Sequence, residues 1–174
     1  MKKQFKEPKI SKKVLDYLDK NKYKYEIIQH RITYTAWDTA QTEKVRPQEV
    51  AKTLVLRTDN NWIAAVLSSN RNLDKKALLK IINSERKKNS EKALKKLDFA
   101  SEDWMNKNMK IGKLGAIPPF KDLLNEDVYF DKLLLKNKKL YVSSGEYDAS
   151  IRVPIAQYVK IEKPILGKLS VKKP

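Results

Sequence analysis

Few residues in this chain can do chemistry, and their types narrow what that chemistry is. The 174 residues include no cysteine and one histidine, His30. Thiol nucleophiles, disulfides and zinc sites built on cysteine or on several histidines are thereby excluded. A Ser-His-Asp triad would have to be assembled around His30, and no Gly-x-Ser-x-Gly elbow accompanies it. No cofactor and no metal are expected. What remains is a cation, a set of small hydroxyls and a glycine loop. Lys52 opens the apolar run Thr53-Leu54-Val55-Leu56, where a charge is unexpected unless its head reaches a partner or snorkels from the strand end to water. Thr53, Ser144 and Ser150 are suited to a polar pocket, although a lone Ser or Thr in a strand is ordinarily surface. The stretch 111–120 holds two of only four glycines and two prolines. Backbone N–H groups of such a loop can point at a carbonyl oxygen. Pro119 is expected to hold the loop in shape. His30 reads as a pocket-lining residue or a satisfied structural histidine, not as a general base.

The charge is unevenly placed. Lys and Arg number 38 against 21 acidic residues, a net +17, of which residues 1–13 carry +5, 71–97 carry +7 and 160–174 carry +4. The remainder is near neutral and reads as an ordinary folded domain. Concentrated cations favour a polyanion, because phosphate contacts release counterions whatever the base sequence. Arg86, Lys87 and Lys88 form the densest run. The alternative is a solvated surface reflecting compositional bias. No apolar run reaches the roughly 18 residues of a membrane helix, so a cytoplasmic protein without membrane contact is expected.

The elements that must position these residues follow from periodicity and punctuation. Ser11 is expected to cap a helix with Val14, Leu15 and Leu18 on one face. Residues 23–30 read as a strand ending at His30. Ala36, Ala40, Val45 and Val50 have loose helical spacing, with Pro47 suited to a first turn after Arg46. Residues 52–58 and 62–69, joined by Asp59-Asn60-Asn61, predict a hairpin of central strands covered by helices on part of both faces. Asp74 is expected to cap a helix with the stripe Leu78, Leu79 and Ile82, and Ser101 to start another. Strands are expected at 127–131, 138–145 and 149–153, then a helix with Pro154 in its first turn. Asp131 reads as a helix cap, Trp62 as core, and the last dozen residues as a loose tail. The expected fold is α/β (α+β): one domain over 1–174, a mixed, mostly antiparallel sheet flanked by helices, with basic extensions at 1–13 and 160–174.

That chain order resembles a known family. Ala51-Lys52-Thr53-Leu54, the loop Gly115-Ala116-Ile117-Pro118-Pro119-Phe120, a strand ending in Asp131, and Ser143-Ser144-Gly145 followed by Ser150-Ile151 resemble the YbaK/ProX family of aminoacyl-tRNA editing domains. The likeness runs from about residue 12 to 160, with His30 and residues 33–40 also in place. It implies that backbone groups around Gly115 hold an ester and a water while a tRNA ribose hydroxyl assists proton transfer. It further implies that Lys52 contacts the 3′-terminal adenosine or its phosphate. His30, Thr53, Ala116, Ile117, Pro119, Ser144 and Ser150 would form the substrate pocket. Ala116, Pro118 and Lys121 replace residues common in relatives, and the signatures of the cysteine- and alanine-removing branches are absent, so no particular amino acid is implied.

The leading expectation is therefore a trans-acting deacylase of mischarged tRNA, with tRNA as partner and an aminoacyl-tRNA synthetase as a further one. Arg86, Lys87 and Lys88 are expected to contact the tRNA. The alternatives are a tRNA-binding module of the same fold without turnover, and a non-specific nucleic-acid binder, which leaves Lys52 and Gly115 unexplained.

Overall fold

A computed structural model describes residues 9–174. Most of the basic segment 1–13 lies outside the described residues. Helix α1 (Lys12–Lys20) forms because Val14 and Leu18, four apart, share a face, and both are fully buried. Ser11 occupies the cap position but makes no side-chain cap bond; its carbonyl oxygen accepts from Val14 and Leu15 instead. Strand β1 spans only Glu26–Gln29. The tyrosine-rich lead-in predicted as strand is diverted: Lys24 N–H donates to the Gln157 side chain, and the Tyr23 ring is buried.

Helix α2 (Ala36–Glu43) is capped by Thr35, and Pro47–Glu49 forms a single 3₁₀ turn after Arg46. The predicted hairpin is present: β2 (Ala51–Thr58) and β3 (Trp62–Ser68) pair antiparallel, with Lys52 opposite Leu67. Next come β4 (Arg71–Leu73) and α3 (Lys75–Lys88), whose N-cap Asp74 accepts from Ala77 N–H. Leu78 and Ile82 are the buried members of its stripe. Strand β5 (Leu97–Phe99) precedes α4 (Glu102–Asn108), capped by Ser101, and an irregular loop leads to α5 (Lys121–Leu124). Strand β6 (Val128–Asp131) ends at a fully buried aspartate that caps a 3₁₀ turn through Leu133 N–H. Strands β7 (Lys139–Ser143) and β8 (Ala149–Pro154) lead into α6 (Ile155–Glu162). Pro154 is the residue before that helix rather than in its first turn.

The end of the chain departs from expectation. It forms β9 (Ile165–Gly167), parallel to β6, and β10 (Ser170–Lys172), antiparallel to β4. The reason is Leu169, fully buried in the same cluster as Leu78 and Ile82, which draws the flanking residues into pairing range.

The fold is mixed α/β with predominantly antiparallel pairing, but the strands divide into sheets. Five run in the order β5-β2-β3-β6-β9, three in the order β1-β8-β7, and β4 pairs with β10. The β3–β6 and β6–β9 pairs are parallel, which needs the crossovers that α3 and α6 belong to. One face of the hairpin packs on α3 through Leu56, Ile63, Ala65, Leu78 and Ile82. The other carries Val55, Ala64 and Val66 onto α1, α6 and the inner face of β7–β8. Helices alone therefore cover one face only.

Candidate functional site

A narrow cleft opens where the three-stranded sheet, the start of β2 and the glycine loop meet, with His30, Ala51, Gly115, Ala116, Ser143 and Ser150 among its lining residues. The register of β1 on β8 sets Gln29 opposite Ala149, and His30 continues the contact through a backbone bond to Asp148. His30 Nε2 consequently stands 3.1 Å from Ser150 Oγ, and Nδ1 stands 2.6 Å from the Arg31 carbonyl oxygen. Behind the ring is Glu43, in the last turn of α2, with Oε1 3.6 Å from Nε2. Burial raises the Glu43 carboxyl above the usual range, partly offset by Ser150 and His30.

Gly115 is held at φ +77°, and a Cβ there would lie 2.8 Å from the Tyr34 carbonyl oxygen. The segment after β1 thus arches across the glycine loop. Tyr147 ties the two together: its hydroxyl donates to the Leu114 carbonyl, its carbonyl accepts from Thr33 N–H, and its ring meets Tyr34 edge-on at 4.8 Å. The loop also touches the Ser143–Gly145 turn through Gly112, whose added Cβ would be 3.2 Å from Gly145 Cα. Glu146 reaches the cleft while paired with Lys113 at 2.6 Å.

The other predicted site residues are more scattered. Ala116 lines the cleft, but Ile117 belongs to the main core. Pro119 acts through its carbonyl, which accepts from the buried Tyr158 hydroxyl at 2.5 Å. Nearby, the buried Glu162 accepts from Tyr17, Tyr23 and Lys121 N–H, anchoring the loop's far end; burial still raises its carboxyl. Ser144 is fully buried and stabilises its own turn, donating to the Ala149 carbonyl at 2.6 Å, and it is Ser143 that lines the cleft. Thr53 Oγ1 is buried without a hydrogen-bond partner.

Lys52 is not among the residues lining this cleft. Ala51 faces it, and strand alternation turns Lys52 to the face of Leu54 and Leu56, where Nζ donates to the Arg71 carbonyl. Burial, aided by the nearby Lys173, pushes its pKa down to about 8. Lys173 donates to the Ser69 carbonyl and lies 5.4 Å from the Trp37 ring centre. In the basic run, Arg86 pairs with Glu91 at 2.8 Å and donates to the Lys92 carbonyl, and Lys88 pairs with Glu85 at 3.0 Å. Sequence reading missed Glu43, Thr33, Thr39 and Ser143. The polar spacing of α2, with Thr39 and Glu43 four apart, was the available signal.

Comparison with known proteins places the chain. Residues 30–161 match the aminoacyl-tRNA editing domain. The chain is 29% identical over 156 residues to the prolyl-tRNA editing protein ProX of Acetoanaerobium sticklandii, covering 86% of this chain and 87% of that protein. Two solved structures share the fold at TM-score 0.75. One is the hypothetical protein APE2540 (18% identity; 91% of this chain, 99% of that chain). The other is described as a candidate trans-editing enzyme for prolyl tRNA synthetase (16% identity; 93% and 99%). With its His30 cleft, its glycine loop and the family match covering most of its length, the chain belongs to the aminoacyl-tRNA editing domain family.

Proposed function

We propose that this protein hydrolyses the ester of a mischarged aminoacyl-tRNA in trans, releasing free amino acid and tRNA. The observation that carries the reading is the cleft, which Gly115 and Ala116 of the glycine loop line together with Ser143, Ser150 and His30. A small, hydroxyl-lined cleft suits a short amino acid, and backbone groups at Gly115 suit an ester oxygen that gains charge during attack by water. Pro119, Ile117 and Ser144 support the walls rather than touch substrate. Thr53 shares the strand face of Ala51 and Val55, with its buried hydroxyl unpartnered. The family membership and the ProX relative support the substrate class. Lys52 and Lys173, held by carbonyls rather than carboxylates, offer positive charge to the 3′-terminal phosphates. Arg86, Lys87 and Lys88 would add weaker contacts to the tRNA body.

Among the described residues no helix is long and apolar enough to cross a membrane. A second reading, tRNA binding without turnover, is favoured by Lys52 pointing away from the cleft. Incubating the purified protein with a panel of mischarged tRNAs, with and without EDTA, separates them. Loss of the aminoacyl ester in both arms supports metal-independent hydrolysis; retention of every ester alongside tight tRNA binding supports the second reading.

A further inference from the structure

Trp37 is an indole that the core does not use. It stands in the first turn of α2, 44% exposed, and joins none of the apolar clusters, whereas Trp62 and Trp104 both pack against the main one. Ile32 and Tyr34, also exposed, precede it on the same stretch of chain. Single apolar side chains on a surface are ordinary, but three within residues 32–37 form a patch.

What lies against the Trp37 ring is a cation. Lys173 Nζ is 5.4 Å from the ring centre and donates to the Ser69 carbonyl, which leaves two of its three protons unspent. Strand β10 carries it there: Lys172 pairs with Arg71, whose side chain donates to the hydroxyl and carbonyl of Ser170. Lys52 donates to the Arg71 carbonyl close by, and repulsion from Lys173 helps to lower its pKa. Among the described residues none of Lys52, Arg71 and Lys173 has a carboxylate within ion-pair distance. The patch borders the cleft, since Ala36 beside Trp37 and Ala51 beside Lys52 both line it. An exposed ring next to uncompensated cations is the composition of a single-strand site, where rings take bases of any identity and ammonium groups take phosphates. An acidic peptide would satisfy the cations and leave the indole idle. A duplex would meet the cations but keep its bases stacked on one another, away from the ring.

We propose that Trp37 and Lys173 bind one unpaired nucleotide of an RNA strand beside the cleft, the indole stacking on the base and the ammonium meeting its phosphate. The site rests on the reading of tRNA as partner, and not on cleavage of the ester.

Fluorescence anisotropy of a labelled single-stranded RNA hexanucleotide, titrated with the full chain at several salt concentrations, tests it. Trp37→Ala should weaken binding roughly fivefold to a hundredfold, the worth of one stacked base, without changing the slope of log K against log[salt]. Trp37→Phe should keep most of the affinity. Lys173→Gln should reduce the slope by about 0.7, one single-strand phosphate contact. Both side chains are exposed, and circular dichroism checks that the variants fold. A blunt RNA duplex should bind the wild type and Trp37→Ala alike. Single-strand affinity within about twofold of wild type in Trp37→Ala overturns the proposal, as does an equal loss for the duplex, an unchanged slope in Lys173→Gln, or a wild type that binds no single strand. A hexaglutamate peptide that binds as tightly as the strand and loses as much in Trp37→Ala would also overturn it, assigning the patch to a protein partner. No hydrolysis is read in these titrations, so a protein that cleaves no ester loses the deacylase reading while Trp37-dependent binding still supports the site.

Discussion

Tyr34 and Gly115 meet backbone to backbone: the Tyr34 carbonyl oxygen lies 2.8 Å from where a Cβ on Gly115 would stand. The closeness lets the segment after β1 close over the glycine loop, and the positive φ at Gly115 is what turns the loop toward it. Gly115→Ala should therefore cost stability by about 1–3 kcal/mol, the range for an L-residue forced into an unfavourable backbone region. It should also lower deacylation at least tenfold while leaving tRNA affinity within about threefold, since binding is assigned to cations outside the loop. Urea unfolding and single-turnover assays measure both. A variant as stable and as active as the wild type would remove the contact from the argument.

The chain end is part of the fold, so its core residue should matter. Leu169 is fully buried in the cluster that holds Leu78 and Ile82. We expect Leu169→Ala to destabilise the protein by about 2–5 kcal/mol, as for other buried leucines. A change under about 0.5 kcal/mol in denaturant titration would restore the picture of a loose tail.

Lys52 has a pH signature. Its pKa falls from 10.5 to about 8 on folding, with burial as the main cause and Lys173 the second. The folded state thus binds the proton less tightly than the unfolded state, and stability should rise as pH climbs from about 8 towards 10.5. Lys52→Met should then stabilise the protein at neutral pH, an advantage that fades across that window. A stability difference independent of pH would show the ammonium to be well solvated. In deacylation, the same variant should lose roughly tenfold or more if Lys52 positions the tRNA end.

Binding of tRNA should weaken steeply with salt. About five phosphate contacts would give a slope of log K against log[salt] near −3.5 to −4.5, from the single-stranded and duplex limits. Neutralising Arg86, Lys87 and Lys88 together should flatten it by about one contact's worth rather than three, because Arg86 and Lys88 already face Glu91 and Glu85. A loss of three contacts' worth would mean that those ion pairs open on binding.

Local signals were sufficient wherever a residue's role is satisfied by its chain neighbours. The hairpin over 52–69 needed only two apolar runs and a polar turn, and Asp74 and Ser101 cap the helices that begin one residue later. His30, Ala116 and Ser150, which the family resemblance assigned to a pocket, line one cleft. Register and burial were not legible. Whether Lys52 or Ala51 faces the cleft is a one-residue question of strand phase, and two nearly continuous apolar strands buried on both faces carry no alternation to answer it. Glu43 meets His30 only after β1 has found β8, more than 100 residues away, and placed the imidazole over the last turn of α2. Leu169 in a lysine-rich end reads as solvated until the cluster it completes exists. Sequence alone determined the longer elements and the kinds of groups available; long-range packing, which brings distant residues to within a few ångströms, decided the short strands at the chain end and which of those groups share a cleft.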